Sequence, residues 1–229
     1  MKLLTSSNQQ TKLARSLIYK FMTFGVHMTP DDRTCKYKSA ECFKHCLNGE
    51  GRGVFSNVKD SRTAKREYYF NDQHAFMYQL RDEVRSAINS ALKQKMTPCF
   101  RLNLTSDIDY TKFKFENGKN IMQCFPTFQF YDYTKNARMM LKKKPLNYFV
   151  VFSRSEKNER TVQRMLERGH WCAVVFKNEL PKRYKGFAVV DGTQHDLIFT
   201  HGRLNNHANV IGLKALPKLR KTDSKFMVA

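Results

Sequence analysis

Cys35, Cys42 and Cys46 stand in the pattern C-x6-C-x3-C, and thiolates at that spacing can converge on one metal centre because the intervening loop is long enough to fold back on itself. Three protein ligands leave a fourth position for water, substrate or a small molecule, whereas a structural zinc closes with a fourth protein ligand, for which His45 is the candidate. Lys36, Lys38 and Lys44 lie among the cysteines and favour the thiolate form. The pattern admits zinc or an iron–sulfur cluster. Plain buried thiols without metal explain the same residues, and both readings stand.

A second set of chemically capable residues falls just after apolar runs. Asn103 lies near the end of the run Cys99 to Leu104 and Asp107 follows it, Asp132 and Lys135 close the run Thr127 to Tyr133, and Arg154 and Glu156 follow Tyr148 to Phe152. Lys177, Asp191 and Lys214 follow the runs Cys172 to Phe176, Phe187 to Val190 and Val210 to Leu213. In a site, the carboxylates would position or deprotonate substrate and the cations would hold phosphate or carboxylate groups. Tyr131 and Tyr133 beside Lys135 suit stacking on a nucleobase, although tyrosines packed against a helix read the same way. Strand ends are commonly polar in any protein, so it is the recurrence at six of them that points to a site.

For these residues to meet, the runs must be strands of one sheet running the same way. Apolar runs alternating with polar or helical stretches predict an α/β fold in a single domain, either a partial βα-barrel or a mainly parallel sheet flanked by helices. The residues following each strand would then share one rim, where such folds build their sites. Phe21 to Met28 predicts the first strand, and Thr29-Pro30-Asp31-Asp32 turns the chain into a cysteine-bearing loop near residues 30–53. A helix from about Asn57 to Phe70 carries Lys59, Arg62 and Arg66 at helical spacing, a basic face suited to nucleic acid. Asp72 caps a second helix whose apolar stripe runs Phe76, Met77, Leu80, Val84, Ala87, Ile88, Ala91 and Leu92. Val162, Met165 and Leu166 predict a further helix that Gly169 ends in a left-handed conformation.

The 229 residues carry 41 Lys and Arg against 20 Asp and Glu, a net charge of +21 that attracts polyanions and makes DNA or RNA the leading partner. With 18 Phe and 10 Tyr the chain has the apolar material for a core, which excludes wholesale disorder. No apolar run approaches the roughly 18 residues of a membrane span, and the polar start carries no secretory pattern. Six cysteines without such a signal point to a reducing compartment, the cytoplasm. Walker, Rossmann and nucleophile-elbow motifs are absent, and His170, His195, His201 and His207 lack metal-ligand spacing. A basic tail near residues 214–229 either touches phosphates or is a solvated end.

Taken in order, Leu3-Leu4-Thr5-Ser6-Ser7-Asn8, Cys35 to Cys46 with Leu47-Asn48 and Gly51-Arg52-Gly53, Arg101-Leu102-Asn103 with Thr105-Ser106-Asp107, and Phe130 to Lys135 resemble the phage gene product 88 family. The resemblance continues through Asn147-Tyr148, Phe152 to Glu156, Ala173 to Phe176, Asp191-Gly192, Asp196 and Ile211 to Ala215, nearly the whole chain. Leu104 and Thr193 depart from the family pattern. The resemblance implies origin in phages, plasmids or related mobile elements and a shared site pattern, and it brings no reaction with it. A fold-level analogy to radical S-adenosylmethionine enzymes, which hold a cluster on three cysteines after the first strand of a partial barrel, would add S-adenosylmethionine; their C-x3-C-x2-C spacing differs from this one. The expectation is a mobile-element metalloprotein, an enzyme using a metal or iron–sulfur cluster on or near nucleic acid. The alternative is a non-catalytic nucleic-acid-binding protein with a structural zinc.

Overall fold

The computed structural model describes residues 1–6, 14–200 and 208–229; Ser7 and Asn8 of the opening motif, and His201 and His207, lie outside the described residues. In chain order the elements are β1 (Leu4–Ser6), β2 (Phe21–Val26), α1 (Ala40–Lys44), α2 (Ser56–Asn71), α3 (Gln73–Lys93), β3 (Thr97–Arg101), α4 (Ile121–Cys124), β4 (Gln129–Thr134), α5 (Ala137–Leu141), β5 (Tyr148–Ser153), α6 (Glu159–Glu167), β6 (Cys172–Phe176), β7 (Arg183–Tyr184), β8 (Phe187–Asp191), β9 (Ala208–Lys214) and α7 (Pro217–Arg220). Among the described residues the strands form one nine-stranded sheet in the order β1-β2-β3-β4-β5-β6-β9-β8-β7. The pairs β2·β3, β3·β4, β5·β6, β6·β9 and β8·β9 are parallel, while β1 and β7 pair antiparallel with β2 and β8. This is the mainly parallel α/β arrangement expected from the alternation of apolar runs. No helix among the described residues is long and apolar enough to cross a membrane.

The chain divides into two compact units, each assembled from separate stretches of sequence. The first comprises Met1–Lys36, Cys46–Asp132 and Lys143–Phe149. Its sheet carries a ladder of Phe24, Phe100 and Phe130 in register on three neighbouring strands, with stacked rings 5.7 and 5.0 Å apart. Such pairs add to the burial of their own area. The long helix α3 packs on β1 and β3 and against α2. Asp72 caps it, accepting the Ala75 N–H at 2.9 Å, and Phe76, Met77, Leu80, Val84, Ala87, Ile88 and Ala91 form its buried face. Leu92 is exposed, because Ala91 takes the inward position and the next residue is turned about 100° away.

Two strands of this unit end earlier than their apolar runs. Past Val26 the Met28 N–H leaves the backbone ladder and donates to Thr105 Oγ1, and past Arg101 the Asn103 N–H donates to Asp132. Side chains thus replace backbone partners where the strands leave the sheet.

The second unit comprises Tyr37–His45, Tyr133–Lys142 and Val150–Ala229. Helix α6 buries Val162, Met165 and Leu166, and Gly169 follows it at φ +76°, as the sequence predicts. The basic tail is anchored rather than loose: Met227 packs with Ala215 and Leu219, and Val228 exchanges backbone hydrogen bonds with Val175 and Lys177 at 2.8 Å each.

Candidate functional site

In the first unit the ends of the parallel strands β2, β3 and β4 come together around Asp132. Its carboxylate, 1% exposed, accepts the Asn103 N–H at 2.8 Å and the Tyr148 hydroxyl at 3.0 Å. Burial raises this carboxyl from 3.8 to about 7, against the pull of the Asn103 N–H, the Arg101 charge and the Tyr148 hydroxyl. The Asn103 side chain folds the following loop onto itself, donating to Ile108 O at 3.0 Å and accepting from Ile108 N and Ser106 Oγ. Thr105 Oγ1 donates to Met28 O at 2.7 Å and lies 3.4 Å from His27 Nδ1. Burial first, then the charges of Arg62, Lys65 and Arg101, lowers His27 to about 3, so its ring is neutral. Asp107 N donates to Thr34 O, and Cys35 Sγ lies 3.9 Å from Thr105 O.

This network therefore gathers Asn103, Asp107, Asp132 and Cys35 of the sequence-derived candidates in one unit. It adds His27 and Tyr148, which sequence reasoning missed, and Thr105, which the sequence places beside Asp107 without a role of its own. His27 and Tyr148 sit at the ends of apolar runs, and that adjacency was the only available signal. Tyr131 is fully buried, its hydroxyl 3.5 Å from Thr23 Oγ1, so its ring belongs to the core.

The strand ends of the second unit carry a different set. Arg154 is a clamp: its Nε donates to Glu159 at 2.8 Å and its Nη1 to the carbonyls of Lys225 and Phe226 at 2.7 Å. Glu156 accepts from Ser39 Oγ at 2.7 Å and from Glu41 N at 3.2 Å, fixing the start of α1. Ser39 in turn caps α1 by accepting the Cys42 N–H, and Ser224 Oγ bonds to Glu41. Lys135 lies over the Phe226 ring at 5.6 Å, and Lys177 is 3.3 Å from Asp223. Asp191, exposed at the end of β8, accepts from Thr193, and Lys214 is exposed at the end of β9; Tyr133 is half-buried in β4.

The six cysteines are thiols, none in a disulfide among the described residues. Cys35 and Cys46 belong to the first unit and Cys42 to the second. Cys46 Sγ accepts the Asn48 N–H and begins a 3-10 turn over Leu47–Gly49, while Cys42 lies within α1. Among the described residues no group of three or more His, Cys, Asp and Glu side chains is placed to hold a metal ion, so the arrangement gives zinc or a cluster no ready-made ligand set. Cys172 is a core thiol that burial pushes up to about 12.

The basic face expected on α2 resolves into three separate roles. Lys59 is exposed. Arg66 pairs with Glu67 at 2.6 Å and lies 3.5 Å from Asp31. Arg62, 7% exposed, donates to both Asn48 O and Asn48 Oδ1 at 2.9 and 2.8 Å, which removes it from any phosphate-binding face. The motif Gly51-Arg52-Gly53 explains itself here: a Cβ on Gly53 would stand 2.1 Å from Asn48 O and 2.8 Å from Arg62 Nη1, so only glycine lets the turn close on that clamp.

A family model described as Gene product 88 matches residues 2–228. No curated protein and no solved structure matches the chain.

Proposed function

Because the chain belongs to the Gene product 88 family over nearly its whole length, we propose that it is a mobile-element protein that binds nucleic acid through its phosphate backbone. One observation carries this reading: part of the excess positive charge stands on the surface of a well-anchored segment. Lys214, Lys218, Arg220, Lys221 and Lys225 are all exposed, while Ala215 and Leu219 between them and Met227 just beyond them are buried. The segment is thus held in place with its cations presented to solvent, an arrangement that attracts polyanions. The test is affinity for single-stranded DNA, duplex DNA and RNA across a salt series. Log affinity falls linearly with log salt, and a flat response overturns the reading.

A second reading, an enzyme acting on nucleic acid, is favoured by the gathering of Asn103, Asp107 and Asp132 at the strand ends of one unit, where burial raises the Asp132 carboxyl to about 7. Turnover of a labelled oligonucleotide that Asp132→Asn abolishes supports it. Turnover that the substitution leaves unchanged removes Asp132 from the chemistry. Metal analysis after anaerobic purification decides the thiol question. Stoichiometric zinc or iron would require Cys35, Cys42 and Cys46 to gather around it.

A further inference from the structure

The outer face of α6 carries Arg160, Arg164 and Arg168, all exposed and four residues apart, while the opposite face is buried through Val162, Met165 and Leu166. At helical rise these arginines form a row about 6 Å apart. Among the described residues neither Arg160 nor Arg164 makes an ion pair or side-chain hydrogen bond. Both line a shallow groove of about 400 Å³ whose other wall includes Lys185.

Lys185 is presented there by unusual backbone. It sits at φ +51° and Gly186 at φ +85°, between Tyr184 and Phe187, which pair across the β7–β8 hairpin. Two positive φ values make this a type I′ turn, whose first position favours Asn, Asp or Gly; a lysine there costs conformational energy and places a cation at the groove. One of the two carboxylates lining the groove is already neutralised, since Glu159 pairs with Arg154 at 2.8 Å and Lys185 at 3.1 Å and accepts the Tyr184 hydroxyl. The other, Glu167, accepts from Gln163 at 2.8 Å. Arg154 also holds the carbonyls of Lys225 and Phe226, which ties the start of α6 to the basic C-terminal segment.

We infer that the α6 groove, with Arg160, Arg164 and Lys185, is the seat of a nucleic-acid sugar–phosphate backbone; this rests on the nucleic-acid reading above and locates it. The row reads charge and spacing, not base sequence, so binding here is indifferent to sequence.

The test compares the wild-type chain, Arg160→Gln/Arg164→Gln, the rescue pair Arg160→Lys/Arg164→Lys, and a control, Lys93→Gln/Lys112→Gln, which removes the same charge from exposed positions elsewhere. Each is titrated with a fluorescein-labelled oligonucleotide of mixed sequence across a salt series, with thermal midpoints confirming equal folding. The expected result is an affinity loss on the order of tenfold and a log–log salt slope shallower by about 2 for the α6 glutamine pair, near-recovery with the lysine pair, and a change within about twofold for the control. Equal losses in the α6 and control variants, or none in either, overturn the groove while leaving nucleic-acid binding standing. A wild-type chain that binds no oligonucleotide overturns both.

Discussion

Asp132 and His27 are buried in the same network with opposite departures from their ordinary values, and their effects on stability run in opposite directions. Asp132 titrates near 7 when folded and 3.8 when unfolded, so between those values the native state holds a proton that the unfolded chain has released, and stability falls as pH rises. His27 titrates near 3 when folded and 6.5 when unfolded, so over about the same window the unfolded chain holds the extra proton and stability rises with pH. From roughly pH 4 to 6.5 the two slopes cancel in the wild-type chain. Asp132→Asn therefore gains stability with rising pH across that window, by up to about 1.4 kcal/mol per pH unit, and His27→Gln loses it; urea midpoints at a series of pH values read both. Parallel slopes in the two variants would refute the assignment. At Gly53 the expected outcome is steric: Gly53→Ala costs on the order of 1–3 kcal/mol, because the added methyl meets the carbonyl of Asn48. Part of this site was legible from residues alone. Asn103 and Asp132 are marked by their place at the ends of apolar runs, whereas Arg62 reads as a surface cation because helical spacing reports which residues share a face and is silent on what a neighbouring loop folds over it.

Among the elements, those with long periodic patterns were readable and those made by caps were not. The stripe from Phe76 to Ala91 exposes α3 in the sequence, and β6 over Cys172–Phe176 matches its apolar run end to end. Helices α1, α4 and α5 have four or five residues each, too short for periodicity, and exist because Ser39, Asn120 and Asn136 accept N–H groups of their first turns. Asn120 and Gln123 complete a reciprocal capping box. The two compact units leave no mark in the sequence for a related reason. Their boundaries fall inside β4 and β5 and beside α1, so no linker composition marks them. Stability should divide along the same line between packing and caps. Leu80→Ala, fully buried on α3, is expected to cost about 2–5 kcal/mol, and Asp72→Ala at the N-terminus of that helix about 1 kcal/mol. Chemical denaturation of the two variants against wild type measures the ratio, and a cap substitution as damaging as the core one would mean that α3 is held by its end rather than its face.

For the molecule as a whole, a charge of +21 has to be reconciled with a folded chain, and the resolution lies in where the cations stand. Some are used internally: Arg62 clamps Asn48, Lys65 donates to Leu3 O at 3.0 Å, and Arg154 ties three segments of the second unit. These cannot be traded for binding without loss of fold. Most of the C-terminal cations are of the other kind, exposed on a backbone that Met227 and Val228 hold in place, while Arg220 also donates to Ala215 O at 3.1 Å. The two kinds should separate cleanly by experiment. Replacing Lys214, Lys218, Lys221 and Lys225 together with Gln leaves the thermal midpoint near wild type, since none of the four side chains is buried. In the same variant the slope of log affinity against log salt becomes shallower by up to about 3.6, roughly 0.9 for each phosphate that the segment no longer neutralises. Met227→Ala behaves the opposite way, lowering the midpoint by loosening the anchor and leaving the salt slope of the folded fraction intact. If the quadruple variant unfolds, the segment's charge is structural; if it folds and binds with an unchanged slope, nucleic acid engages other cations, and the presentation of positive charge by this segment is a matter of solubility alone.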